Sequence, residues 1–509
     1  MHYDAIVIGA GLGGLTAGAI LAKRGQKVLL IEQHHVPGGC ATTFRRKDLR
    51  IEVGLHAMDG MAGEDDPKLA IFKELGILDK ITLVRLPEFY RYRKGEMDIV
   101  IPDNREETIR VLKERFPNDG KGIERFFKVI HGISREINRL PRQRWRLMLL
   151  LPLFPLLYWH LLRYAPMTVG RFVDTITANE ELKLLLLANA GYYDDDPYRL
   201  GMLYFSVAQE GYFAGGGYFI KGGSQHLSDA LAACIRENGG ELVLGHEVTQ
   251  ILVRDGAAMG VRYQRTNHSH AEAPEEKEAL ARVIVCNAAV PNVVNRLIPD
   301  FPDQAAKERI NALRTPSSLS TLYLGFSKPP KELGNRHYST FVLDPGLTRA
   351  AQLAGGEQGR GYEQRTFAFV DYGQIDSGLA PEGKSVGVIC FADFLEEWAR
   401  LTEAEYRARK ERVTGIFLER LEALIPGIGA HIEYCELGTP KTVERYTRNP
   451  GGVVYGFAQS PEQSGMKRFM GFTAIKNLYF ASAWGFPGGG FTGAILGGAM
   501  TAEEILKRG

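Results

Sequence analysis

Hydrophobic residues open the chain in short, dense runs. Tyr3-Asp4-Ala5-Ile6-Val7-Ile8 is rich in β-branched positions and reads as a short buried strand. The segment from Leu12 to Arg24 then has helical spacing, with Leu15, Ala19 and Ala22 on the side that faces a sheet. Lys27-Val28-Leu29-Leu30-Ile31 is a second strand, ending in Glu32. This strand, helix and strand predict a parallel βαβ unit. Further along, a helix is expected from about Gln225 to Glu237, followed by Gly239-Gly240-Glu241 and a strand. Gln264 to Ala281, with Asn267, His268, Ser269, His270 and the charged run from Glu275 to Glu278, reads as a solvated hairpin loop. Leu401 to Leu424 has the pattern of an amphipathic, charge-laced helix. The apolar run from Leu147 to Trp159 is thirteen residues long, too short to span a bilayer, and Pro152 and Pro155 interrupt it.

Candidate chemistry sits at the first strand-to-helix turn. Gly9, Gly11 and Gly14 form G-x-G-x-x-G there. Gly9 permits the tight turn, Gly11 lets backbone approach a pyrophosphate, and Gly14 lets helix and strand pack closely. The pyrophosphate would rest on free amides at the positive end of the helix, beside Leu12. Glu32 ends the second strand, where a carboxylate binds both ribose hydroxyls and repels a 2′-phosphate. Motif and context together predict dinucleotide binding.

Composition sharpens this reading. The chain of 509 residues is 45% hydrophobic and carries 62 Lys and Arg against 60 Asp and Glu, a net charge of +2 that gives no global drive toward nucleic acid. Its 58 glycines exceed the roughly 36 expected from average usage. Twenty of them fall in four blocks, 9–18, 38–39, 211–223 and 485–498. Five scattered cysteines, Cys40, Cys234, Cys286, Cys390 and Cys435, suit neither a disulfide framework nor structural zinc and point to a reducing compartment. No metal site is expected, because His268 and His270 have no third ligand beside them.

Pro37-Gly38-Gly39-Cys40-Ala41-Thr42-Thr43-Phe44 follows Glu32 closely, and Val53-Gly54-Leu55-His56 comes soon after. With the N-terminal βαβ unit, these segments resemble the FAD-dependent amine oxidase and phytoene desaturase superfamily, and most of all its retinol saturase and carotenoid isomerase branch. Two further blocks are similar to that family: Gly215 to Gly223, and Asn477 to Ala494 with its Trp484-Gly485-Phe486-Pro487-Gly488-Gly489-Gly490-Phe491-Thr492 core. The resemblance implies FAD as cofactor. It implies Gly38 and Gly39 beside the pyrophosphate and ribityl chain, and Val248 against the adenine. Ala483, Trp484, Gly490, Phe491 and Thr492 would lie where a helix N-terminus faces the flavin. Relatives often carry Gly-Asp where this chain has Ser482-Ala483, so a carboxylate near the ribityl chain is missing. Cys40 is read first as a small residue in a tight turn, with a covalent flavin bond as the alternative.

The implied fold is α/β: a Rossmann-type FAD-binding domain of the glutathione reductase and amine oxidase kind, from 1–70, 206–295 and 440–509, with a discontinuous α+β substrate domain from 71–205 and 296–439. A helical membrane-associating insert is expected at 135–163, where Arg135, Arg139, Arg142, Arg144 and Arg146 precede the apolar run and Trp145, Tyr158 and Trp159 flank it. A buried helical hairpin is the alternative. The substrate expected from this family is an apolar carotenoid, retinoid or polyprenyl lipid, held in an aromatic tunnel by a peripheral membrane protein on the cytoplasmic side. His56 is the candidate catalytic acid, with Glu210 and Tyr218 behind it. Three functions remain open at this stage: saturation or desaturation of a C=C bond by hydride transfer at flavin N5, redox-neutral cis–trans isomerisation with reduced FAD, and non-enzymatic escort of a prenyl lipid. No second Rossmann unit is present, and the electron donor or acceptor is open.

Overall fold

The computed structural model describes residues 2–61, 66–141, 144–266, 275–471 and 473–508. Its first large sheet is built on the parallel pairing of His2–Ile8 with Val28–Glu32 on one side and Glu276–Cys286 on the other. Glu241–Leu244 extends it beyond Val28–Glu32, and Leu478–Phe480 pairs with the end of Glu276–Cys286. Both faces are covered, which explains the unbroken apolar run in the first strand. Ala5 and Val7 pack beneath the helices Leu12–Lys23, Gln225–Glu237 and Gly490–Arg508, while Ile6 and Ile8 pack toward Val290, Val293 and Val294.

Of the stretch expected to be a loop, Gln264 to Ala281, the described residues 264–266 and 275–281 are mostly strand. Ala257–Arg265 and Glu276–Cys286 form antiparallel arms, extended on the far side by His246–Arg254. The charges belong there because the arms project into solvent, where Arg262 lies 3.9 Å from Glu276 and 3.5 Å from Glu278. His268 and His270 lie outside the described residues.

The second large sheet runs in the order Ile432–Gly438, Ser318–Phe326, Ser385–Asp393, Phe367–Asp371, Ser339–Val342, Tyr90–Lys94, Met97–Ile101. Its neighbours are antiparallel except for Ser339–Val342 and Tyr90–Lys94. The helix Glu403–Leu424 begins with a capping box between Thr402 and Glu405. Val413, Phe417 and Leu421 recur every fourth position and pack against Leu322, Leu324 and Phe326. The alternate residues of that strand, Leu319, Thr321 and Tyr323, face a cavity instead. A small sheet joins Met58–Asp59, Gly217–Ile220 and Leu83–Arg85, linking segments assigned above to different domains.

The insert is neither a single helix nor a buried hairpin. After the helix Gly120–Asn138 come short turns at Arg144–Leu150, Leu151–Leu153, Phe154–Leu157 and Trp159–Tyr164. Trp145, Met148, Leu149, Leu151, Leu153, Leu156, Leu157, Trp159 and Leu162 are all exposed, whereas Tyr158 is buried. Arg142 and the side chain of Arg144 lie outside the described residues. Among the described residues no helix is long and apolar enough to cross a membrane.

Candidate active site

One cavity of about 1580 Å³ is lined by elements of both large sheets. Gly9, Gly11, Leu12, Glu32, Gly38, Gly39 and Val248 line it, as do His56, Ala483, Trp484, Gly490, Phe491 and Thr492. Gly14 does not, since it lies behind the turn. A Cβ built on Gly14 would sit 2.2 Å from the Gly9 carbonyl oxygen and 2.9 Å from Asn287 Cβ, so this glycine sets how closely helix and strand approach. Gly9 has φ of 95°, a left-handed conformation that the turn requires.

Glu32 is held before any ligand arrives. Its Oε2 accepts from Ala10 N–H at 2.7 Å and its Oε1 from His34 N–H at 2.8 Å. Burial raises its pKa, and the backbone donors, those of Ala10 and His34 foremost, only partly offset this. The Gln33 N–H acts on the same carboxylate, and its four lone pairs still leave room for a further donor. Val248 lies on the outer strand beside a bulge that separates it from Gln250 in the ladder.

His56 is reached from the opposite side. Its Nδ1 lies 2.6 Å from Oε1 of Glu52, a wholly buried carboxylate that also accepts from Ser224 N–H at 2.8 Å and from the Ser224 hydroxyl. An acceptor at Nδ1 leaves Nε2 as the ring atom able to take up or release a proton. The imidazole stacks on Phe491, with centroids 5.1 Å apart and planes at 28°. His56 also has φ of 25°, backbone strain of the sort concentrated at functional sites. Asp59, a second acid lining the cavity, accepts from the Thr492 hydroxyl and lies 3.9 Å from the buried Lys68 ammonium. Glu210 and Tyr218 are elsewhere: neither lines the cavity, Glu210 is tied to Arg105 and His131, and the Tyr218 hydroxyl accepts from Arg85.

The remaining wall is apolar and aromatic. Tyr192, Tyr193, Tyr204, Tyr212 and Phe341 contribute rings, and burial pushes Tyr192 and Tyr204 up to about 12, so these phenols stay neutral. Phe154, Leu161, Leu162 and Pro166, from the insert and its end, line the same cavity. The exposed apolar surface is thereby continuous with the interior.

The model of the flavin containing amine oxidoreductase family matches residues 12–506. The chain belongs to that family. As a flavin containing amine oxidoreductase, it is a flavin-dependent oxidoreductase with a flavin cofactor. It is 25% identical to an all-trans-retinol 13,14-reductase of Danio rerio, over 99% of this chain and 86% of that one. It is 26% identical to a chloroplastic prolycopene isomerase of Daucus carota, over 99% and 80% respectively. An oxidoreductase from Methanosarcina mazei, 19% identical, shares the fold with a TM-score of 0.65 over 99% of this chain and 100% of that one.

The cradle fits a flavin cofactor. A Cβ at Gly11 would meet Asn287 Nδ2 at 2.6 Å and one at Gly13 would meet the Ala481 carbonyl oxygen at 2.1 Å, so these glycines let the helix start pack this closely against 287 and 481. The helix beginning at Leu12 presents unpaired first-turn amides to it. A second helix starts at Gly490, and its positive end is directed to the same cavity. Cys40 also lines the cavity, but burial raises its thiol to about 11, which keeps it protonated and a poor nucleophile at neutral pH. Sequence reasoning missed Glu52 and Asp59, whereas the rings from Tyr192 to Tyr212 supply the aromatic wall that it expected without naming its residues. Only the spacing of Glu52 and His56, four residues apart, hinted at a pair.

Proposed function

We propose that the chain is a FAD-dependent enzyme of a membrane surface that saturates or desaturates a C=C bond in an apolar carotenoid, retinoid or polyprenyl lipid. The observation that carries this is the single cavity: glycine cradle, His56, aromatic wall and exposed apolar insert all border it. FAD in particular is supported by Glu32, poised for a ribose, and by Val248 beyond it. Gly9, Gly11, Leu12, Gly38 and Gly39 would hold the pyrophosphate and ribityl chain, Ala483 and Trp484 the adjoining part, and Gly490, Phe491 and Thr492 the pyrimidine edge. When bound, FAD supplies two-electron chemistry at its ring toward a carbon placed against it. Glu52 fixes the orientation of His56, which holds or releases a proton at Nε2. The tyrosines and apolar side chains exclude water and align a long hydrocarbon. The insert lets that hydrocarbon enter from a bilayer without crossing water.

Redox-neutral isomerisation is the second reading, favoured by the likeness to prolycopene isomerases. Anaerobic incubation with carotenoids, retinoids and prenyl quinones, with FAD oxidised or pre-reduced, separates the two. Products two hydrogens heavier or lighter than substrate support the first reading. Products of equal mass and altered geometry move the assignment to the isomerase. A purified protein that takes up no FAD overturns both and leaves a lipid escort.

A further inference from the structure

A buried cation stands beneath the cofactor turn. Arg468 is 3% exposed, yet among the described residues it makes no ion pair. Its guanidinium donates to four carbonyl oxygens: Gly485 at 2.7 Å, Phe457 at 3.0 Å, Ala458 at 3.4 Å and Ala483 at 2.8 Å. Burial lowers its pKa to about 10, so it remains charged at neutral pH. Arginine is rarely this buried without a counter-charge, because carbonyl dipoles only partly replace lost hydration.

Arg468 does not itself line the cavity, whereas Ala483 and Trp484 of the turn it holds do. In a trans peptide the C=O and N–H point in opposite directions. Anchoring the Ala483 carbonyl on Arg468 therefore directs the Trp484 N–H away from the guanidinium. That amide has no partner among the described residues, and Trp484 lines the cavity. The indole secures the same peptide: Nε1 donates to Asn449 Oδ1 at 3.3 Å and the ring packs edge-on against Phe457 at 4.9 Å. Gly456 makes room for the carbonyl, since a Cβ there would lie 2.6 Å from the Ala483 oxygen.

We propose that Arg468 is a positioning residue for the cofactor: it clamps the 482–485 turn from behind, presents the Trp484 amide to the site, and supplies fixed positive charge whose counter-charge is the bound flavin dinucleotide. The inference rests on the flavin reading of the cavity. Its chemistry follows from that charge. A cation held behind the turn favours the reduced ring, which is the more negative form, and strengthens retention of an anionic ligand.

The test compares full-length wild type, Arg468→Met and Arg468→Lys as holoproteins. Flavin release on dilution is followed by fluorescence, and the flavin reduction potential is measured. Arg468→Met is expected to weaken FAD binding about tenfold or more and to lower the potential, with Arg468→Lys recovering part of both. If Arg468→Met does not fold, Gly456→Ala, which displaces the Ala483 carbonyl while leaving Arg468 in place, is expected to loosen FAD in the same way. Unchanged affinity and potential in the variant that folds overturn the proposal. So does a lowered thermal midpoint with FAD binding intact, which marks Arg468 as structural only. A wild type that binds no FAD removes the flavin reading itself, an outcome distinct from both.

Discussion

The exposed insert yields the most quantitative expectation. Leu149, Leu156 and Trp159 are 69%, 81% and 57% exposed, so replacing them removes little from the protein interior. Fully burying side chains of this kind is worth roughly 1.5 to 3 kcal/mol each. Scaled by their exposure, the three contribute about 3 to 6 kcal/mol if each enters the headgroup and acyl boundary. At 1.4 kcal/mol per factor of ten, the triple variant L149E/L156E/W159E should bind vesicles about two to four orders of magnitude more weakly. The introduced carboxylates should add repulsion when the vesicles carry anionic lipid, toward which Arg135, Arg139 and Arg146 should attract the wild type. Co-sedimentation with phosphatidylcholine vesicles, with and without one-fifth phosphatidylglycerol, measures this directly. Flavin content and thermal midpoint should stay near wild type, because surface changes cost little in the fold. The variant should also process lipid presented in vesicles slowly while retaining activity on detergent-dispersed substrate. Equal sedimentation of variant and wild type, or failure of wild type to bind either vesicle, refutes the reasoning.

Two substitutions probe the site itself. Glu52→Gln keeps one acceptor oxygen but turns an N–H donor either toward His56 Nδ1 and the Ser224 hydroxyl or toward the Ser224 N–H, which loosens the hold on the imidazole; turnover should fall about 10- to 100-fold with FAD content retained, as steady-state kinetics across pH would show, and an unaltered rate and pH profile would remove His56 from the chemistry. Glu32→Gln turns an N–H donor toward either Ala10 or His34 and takes away the ribose acceptor; FAD affinity should drop about 10- to 100-fold while FMN affinity is unchanged, and equal losses for the two flavins in spectral titrations would show that Glu32 does not read the adenosine half.

Much of the cofactor cradle was legible because its logic is local. A glycine turn, a helix N-terminus and a carboxylate at a strand end lie within thirty-two residues, and each is required by backbone geometry that neighbours in sequence create. The helices at Gln225–Glu237 and Glu403–Leu424 were legible for the same reason, since periodicity and capping act over a few residues. The charged arm from Glu276 was misread because its pairing partner, not its own composition, makes it a strand. Its outer positions are solvated on both faces, and polarity alone resembles a loop.

By itself, then, the sequence determined the glycine turn, the helix that follows it, Glu32 at a strand end, and the presence of an apolar segment too short and broken to cross a bilayer. The tertiary structure decided how these meet. Glu52 accepts from Ser224, which is 172 positions away, and thereby aims His56. Arg468 reaches across to the 482–485 turn, and strands from 90–101 complete a sheet otherwise drawn from 318–438. One cavity joins the cradle to the exposed insert. The physical reason is that backbone conformation is set mostly by near neighbours, whereas a cavity and the charges around it are properties of surfaces that only long-range packing brings together.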